Sequence, residues 1–381
     1  MVKVLYVLNG TFERGGTEAV VLNYYRNIDH SRVQIDFMLH TSIEESMNND
    51  TCKEVRASGA KIYCVTPRHQ SIKKNKEEIE NVFKNNKYDI IHTHTDCVGA
   101  YILRIARKAN AGIRVAHSHA TNVPVKVNGV KSFLHFLYLQ YCRYDIRKQA
   151  NYYMACSREA AIWLFGRHAV DQKKVALLNN AIDIEIYKKN SEIRDRVRQQ
   201  LNLKDELVIG HVGRFAVEKN HEFLIDVFSK VHSECSKTKL LLVGTGELEL
   251  RIKEKVHQLS LDDAVIFYGT TSKPNELLQA MDVFAFPSRW EGLGIALIEA
   301  QAAGLPCVVT DNERVSKKSA ITDLVTYVPI DDEKLWVKKI LEGSKREKKD
   351  TSNMIREAGY DIHIEADKLA AYYEALIKRN C

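Results

Sequence analysis

No stretch of this sequence stays apolar for the roughly 20 residues that a membrane-spanning helix needs. The opening, MVKVLYVLNG, turns polar too soon for a signal peptide and reads as a first strand. The eight cysteines are scattered singly, with no C-x-x-C pair, which argues against a disulfide framework or a zinc site and for a reducing cytoplasm. G-x-G-x-x-G is missing, and so is a Walker lysine, which leaves nicotinamide and ATP readings weak. What is present is a globular composition, 45% hydrophobic and 28% charged, over 381 residues, a length that implies two domains. The net charge of +7 is uneven: residues 1–190 hold 28 basic and 18 acidic side chains, residues 191–381 hold 28 and 31. A basic front half suits an anionic partner. No nucleic-acid recognition motif accompanies it, and an anionic membrane or a lipid-phosphate acceptor fits the charge as well.

The front half alternates strand-like and helix-like runs. Val2–Leu8 reads as a strand, a glycine turn holds Gly15 and Gly16, and a helix follows from about Thr17 to Ile28. Strands are expected near Val33–Leu39, Lys61–Val65, Tyr88–Thr93, Arg114–His117 and Tyr152–Ala155, with helices near Ile72–Asn85 and Gly99–Ala111. Strands separated by helical lengths predict an α/β fold with a parallel sheet covered on both faces. Two histidine pairs, His92/His94 and His117/His119, fall at strand ends, where ligands of such sheets bind. No carboxylate or cysteine stands at zinc spacing from them, so no metal site is expected. Val125–Arg147 mixes aromatics and leucine with Lys126, Lys131, Arg143 and Arg147. It reads either as a helix packed on the sheet or as an interfacial helix for an anionic bilayer.

The back half repeats the alternation, with strands at Leu207–His211, Leu240–Val243 and Val265–Tyr268 and helices at His221–His232 and Glu247–Leu259. Its densest segment is Asp282–Pro306. A buried strand, Val283–Phe286, leads through a Trp-Glu-Gly-Leu-Gly turn into Ile295–Ala303, a helix apolar on nearly every side. Glu299 sits in that helix and, as a carboxylate in an apolar setting, requires a polar partner. Glu291 precedes the helix by a few residues. Gly292 and Gly294 let the backbone approach a ligand, and the free amides of the helix start favour an anion. Two carboxylates for hydroxyls around an anion-binding helix end suit a phosphorylated sugar.

Glu291-Gly-Leu-Gly followed eight residues on by Glu299 resembles the E-x7-E motif of retaining glycosyltransferases of family 4 (glycosyl transferases group 1), as found in bacterial capsular and exopolysaccharide glycosyltransferases. Other segments resemble that family in order: Gly15-Gly16-Thr17-Glu18 its GG-x-E turn, Val115-Ala-His117 its strand-end histidine, and LLNNAIDIEIY at 177–187 its PNGID segment, with Asn179 for Pro and Ala181 for Gly. Asp183 is read there as fixing the linker turn. Gly213-Arg214…Lys219 resembles the G-R-x4-K signature, with Asn220 for the following Gly, and Gly244-Thr-Gly246-Glu247 and Phe267-Tyr268-Gly269 resemble two further turns.

The resemblance implies a GT-B fold: an N-terminal Rossmann-like acceptor-side domain over 1–188, a nucleotide-sugar domain over 189–360 facing it across a cleft, and a C-terminal helix, 361–381, crossing back. It implies transfer with retention from a nucleoside-diphosphate sugar, a UDP-sugar first, to a glycan or lipid-linked acceptor, at the cytoplasmic side of the plasma membrane. Catalysis would fall to His117, Arg214, Lys219 and Glu291, with His119 the alternative to His117. Donor binding would add Gly15, Gly16, Tyr268, Gly292, Leu293, Gly294, Ile295 and Glu299. Asp262-Asp263 and Asp331-Asp332 are adjacent acids rather than D-x-D motifs, so no cofactor or metal is expected. Competing expectations are a sugar-nucleotide epimerase of the same fold and a non-catalytic glycosyltransferase-like subunit.

Overall fold

The computed structural model describes residues 1–12, 16–119, 129–291, 293–313, 315 and 317–380. Gly15, Gly292 and the stretch 120–128, which holds Lys126, lie outside the described residues. The chain divides into two units, Met1–Ala181 with Ile362–Cys381, and Ile182–Asp361.

The first unit holds a seven-stranded parallel sheet in the order β3-β2-β1-β4-β5-β6-β7. Its strands are β1 Val2–Leu8, β2 Val33–Leu39, β3 Ile62–Cys64, β4 Ile90–Thr93, β5 Ile113–Ser118, β6 Tyr152–Ala155 and β7 Val175–Leu177. The central strands are near-continuous apolar runs because both sheet faces are covered. The helices that matter below are α1 Gly16–Asn27, α2 Ile72–Asn85, α3 Ala100–Lys108 and α4 Val130–Gln149. Two short helices, Ile43–Asn48 and Asp50–Ala57, occupy a stretch that carries no clear periodicity; Ser42 and Glu45 form a capping box at the first of them.

The second unit repeats the plan with six parallel strands in the order β10-β9-β8-β11-β12-β13. These are β8 Leu207–Val212, β9 Thr238–Val243, β10 Val265–Gly269, β11 Val283–Phe286, β12 Cys307–Thr310 and β13 Val325–Val328, flanked by helices that include α5 His221–Glu234 and α6 Ile295–Ala302. The two units are Rossmann-like and constitute the GT-B fold. The final helix, α7 Ile362–Asn380, belongs to the first unit, where Tyr373 is fully buried and Arg32 of the β1–β2 connection bonds Glu374 at 2.9 Å. In each sheet the strand order reverses once, between β1 and β4 and between β8 and β11, and the crevice beyond such a reversal is where doubly wound sheets take ligands.

Candidate active site

At the β8/β11 reversal the chain leaves β8 through Gly213, Arg214 and Phe215. A neighbouring turn locks this loop backbone to backbone: Gly213 N–H donates to Val243 O at 2.9 Å and Phe215 N–H to Thr245 O at 3.0 Å. A Cβ on Gly244 would stand 2.1 Å from the Gly213 carbonyl oxygen, and one on Gly246 2.5 Å from that of Phe215. The two glycines are therefore a positioning device for Arg214. Asn220 takes the left-handed conformation, φ 57°, at the position where the family pattern has glycine. Asparagine tolerates that region better than other residues with a side chain, so the departure keeps the backbone. It also adds bonds, to Pro287 O at 3.3 Å and from Arg289 Nε at 3.0 Å.

That fold brings Lys219 to Glu291, two residues 72 apart in sequence, in a direct ion pair with both side chains less than a fifth exposed. The Lys219 ammonium also lies over the Phe286 ring, 5.4 Å from its centroid. Arg214 is 65% exposed at its side chain and held by Glu218 at 3.0 Å, which raises its pKa further. Gly294, φ 68°, turns the chain into α6 without a side-chain cap, leaving the first amides of Ile295 and Ala296 for a ligand; Leu293 is buried in the core beneath.

The polar side chain truly sealed within α6 is Gln301, whose amide bonds Leu297 O, Ser319 O, Ile321 N and Thr322 N. Glu299 shares the part-exposed side of the helix with Ile295 and Ala296. It does have a polar partner, Tyr187, whose hydroxyl donates to Oε1 at 2.6 Å. Part of Glu299 reaches solvent, yet its surroundings are enclosed enough that burial raises its pKa, against a smaller lowering by Tyr187. Sequence reasoning missed Tyr187. It lies 112 residues away in the PNGID-like segment, where Asp183 does hold the turn by accepting from Glu185 N–H at 3.1 Å. Tyr268 stands two strands away at the end of β10, 43% exposed, and Gly269 behind it accepts from Gly244 N–H at 2.8 Å.

In the first unit Gly16 opens α1. The two histidine pairs meet on adjacent strands β4 and β5 as one stack, with centroids 4.1 Å apart for His117 and His119 and 4.2 Å for His92 and His94. His117 is buried and His119 part-exposed. A buried chain runs through the stack: Tyr6 hydroxyl to Tyr373 hydroxyl 2.9 Å, Tyr373 hydroxyl to His92 Nδ1 2.6 Å, His92 Nε2 to His117 Nδ1 3.1 Å. His117 Nε2 is buried without a hydrogen bond. Burial first, and neighbouring imidazoles second, hold His92, His94 and His117 well below the usual histidine pKa, so these rings are neutral. Ring nitrogens of His92, His94 and His117 lie within 4.8 Å of one another, a grouping with the donor set of a metal site that spacing along the chain did not bring out.

Residues 14–186 match the model for Glycosyltransferase Family 4 and residues 193–361 the model for Glycosyl transferases group 1. EpsF of Bacillus subtilis (strain 168), named as a glycosyltransferase, is 33% identical over 97% of this chain and 96% of its own. The chain belongs to glycosyltransferase family 4. A second family relative is the Escherichia coli UDP-Gal:alpha-D-GlcNAc-diphosphoundecaprenol alpha-1,3-galactosyltransferase, 27% identical over 60% of this chain and 59% of its own. Among solved structures, Anabaena HepE in complex with UDP and glucose shares the fold at a TM-score of 0.75 and 19% identity, covering 98% of this glycosyltransferase and 100% of HepE.

Proposed function

We propose that this glycosyltransferase moves a hexosyl group, with retention, from a nucleoside-diphosphate sugar to a glycan or lipid-linked acceptor in cell-surface polysaccharide synthesis. The Lys219–Glu291 pair beside the uncapped start of α6 carries this reading. An ammonium has three donors; Glu291 takes one, and the others face a diphosphate that the exposed fork of Arg214 grips from outside. The second oxygen of Glu291 is then free for a sugar hydroxyl. Glu299, with one oxygen on Tyr187, offers the other to the ribose. UDP is the expected nucleotide, in keeping with the UDP and glucose bound by HepE and the UDP-Gal donor of the Escherichia coli relative. As the diphosphate leaves, fixed cations stabilise the charge that develops, each donor contributing about 3–4 kcal/mol. His117 serves the sugar or acceptor hydroxyl, and attack proceeds on the front face without a covalent intermediate or a divalent ion. The test is transfer from a panel of UDP-sugars with excess chelator. Sustained turnover to a glycosylated product supports the reading. Loss restored by magnesium or manganese removes metal independence, and an epimerised nucleotide sugar without acceptor turns the site into an epimerase.

The same reading places the enzyme in the cytoplasm, in peripheral contact with an anionic membrane. Among the described residues no helix is long and apolar enough to cross a bilayer. Instead α4 is apolar on two sides. Leu139, Cys142 and Ile146 face the core, while Phe133, Leu134, Leu137, Tyr141 and Tyr144 are between 47% and 58% exposed at three- and four-residue spacing. Its one acid, Asp145, turns inward to Arg104 at 2.5 Å, and Arg143, Arg147 and Lys148 leave the helix cationic. Exposed apolar bulk with positive charge fits an anionic interface. Co-sedimentation with phosphatidylglycerol but not phosphatidylcholine vesicles, weakened by salt, is the expected result; equal recovery in both supernatants would remove the contact.

A further inference from the structure

The first unit contains a cavity of about 620 Å³ that the donor chemistry does not use. It opens beyond the carboxyl ends of β1 and β2, where Asn9 and His40 line it, and is closed by Arg68 and His69 before α2, Tyr101 of α3 and Tyr138 of α4. Among the described residues none that lines it is acidic.

Arg68 dominates the polar side. Among the described residues no carboxylate pairs with it. Its guanidinium lies over the Tyr101 ring, 4.4 Å from the centroid, and Nη1 donates to the Tyr138 hydroxyl at 3.3 Å. Arg68 Nε and the Tyr101 hydroxyl are both buried without a hydrogen-bond partner. A buried donor left without a partner is destabilising, and an oxyanion in the cavity would relieve both. His40 Nδ1 sits 3.0 Å from Leu8 O, which orients the ring on the cavity wall. The first turn of α2, beginning at Ile72, has no acid, and Lys73 and Lys74 follow.

The rim is of the opposite character. Ile72, Val98 and Ile102 are apolar, and Tyr138 belongs to the exposed face of α4 already described, which continues outward through Leu134 and Tyr141. Among the described residues a cationic floor without a counterion thus runs into an apolar surface without a cover.

We propose that this cavity binds the diphosphate of a lipid-linked acceptor at Arg68 and Tyr101, with the hydrocarbon chain laid along the outer face of α4. The proposal rests on the lipid-linked acceptor reading above and narrows it to a prenyl diphosphate ester. Arg68 has the planar fork that suits adjacent phosphate oxygens, and its stacking on Tyr101 fixes the plane.

Calorimetric titration of the full chain, with UDP present in excess to fill the donor site, tests it with three probes: inorganic pyrophosphate, farnesyl diphosphate and farnesol. Farnesyl diphosphate should bind about ten-fold more tightly than either of the others. Arg68→Gln should weaken both diphosphates about ten-fold, and Tyr101→Phe, which keeps the ring, about three-fold. Leu134→Glu with Leu137→Glu should weaken farnesyl diphosphate alone, since both side chains are exposed and make no hydrogen bond that the fold needs. Undiminished affinity in Arg68→Gln and Tyr101→Phe would overturn the site. Pyrophosphate binding as tightly as farnesyl diphosphate would overturn the lipid source. Diphosphate binding that UDP abolishes belongs to Lys219 and Arg214 and would also overturn it. UDP affinity, measured alone, scores the donor reading separately.

Discussion

The two units share one plan and differ in what stands at its reversal point. Beyond β8 and β11 the second unit assembles opposite charges, Lys219 on Glu291 and Arg214 on Glu218. Beyond β4 and β5 the first unit assembles four imidazoles stacked on one another and kept neutral by burial. Topology fixes where a ligand goes, and side chains fix which kind. A pre-paired ammonium offers spare donors to a diphosphate without first being desolvated. A neutral imidazole offers a hydrogen bond to a hydroxyl without adding a charge of its own.

Removing charge from the second unit should have the largest effect. Lys219→Ala strands Glu291 and should weaken UDP about 100-fold by calorimetry, whereas the exposed Arg214→Ala should cost about ten-fold. Equal effects would mean that burial of the pair does not matter. In the first unit His117→Ala should lower turnover about 100-fold while UDP affinity stays within about two-fold. A matching loss of UDP affinity would erase the contrast between the units.

Acid should separate the units less sharply. The folded pKa of His119 falls to about 4, and those of His92, His94 and His117 lie well below the ordinary 6.5. Between 6.5 and about 4 the unfolded chain therefore binds protons that the folded chain refuses. Stability must drop as pH falls through that window, on the order of 1–3 kcal/mol per histidine. His211, also lowered to about 4, and His221, to about 2, give the second unit a smaller share. Urea midpoints that do not move between pH 6.5 and 4.5 would refute buried neutral rings.

The smallest effect concerns direction within the histidine chain. A phenol donates more readily than it accepts, so Tyr373 should donate to His92 Nδ1, His92 Nε2–H to His117 Nδ1, and His117 should carry its proton on Nε2. Nitrogen-15 spectra of labelled histidine should show that single tautomer, with a mixture and about a three-fold loss of turnover in Tyr373→Phe. The same mixture in the unaltered chain would show that the chain sets nothing.

Short-range features were legible before any coordinates. Ten of the eleven strands from Val2 to Phe286 were legible to within a few residues, because buried parallel strands are short apolar runs; β7, Val175–Leu177, is three residues of an only partly buried edge and carries no such run. Gly213-Arg214…Lys219 and Glu291…Glu299 stood out because turn chemistry and helix spacing are local. The partners were not legible. Tyr187 reaches Glu299 across 112 residues and Tyr373 reaches His92 across 281, and nothing in either segment marks a destination. Gln301 looked unremarkable beside Glu299, since only packing decides which of two polar residues on one helix is sealed. The helices over 43–57 were missed because they are short and mostly polar, held by caps such as Ser42 and Asn49 more than by an apolar face.

The membership of α7 in the first unit has a consequence for synthesis. Ribosomes deliver the chain from its beginning, yet the hydroxyl beside His92 emerges only 281 residues later. The second unit, continuous from Ile182 to Asp361, is complete while the first still lacks a helix. The domain begun first is thus finished last, and until Tyr373 leaves the exit tunnel the buried imidazoles wait half-walled and open to water.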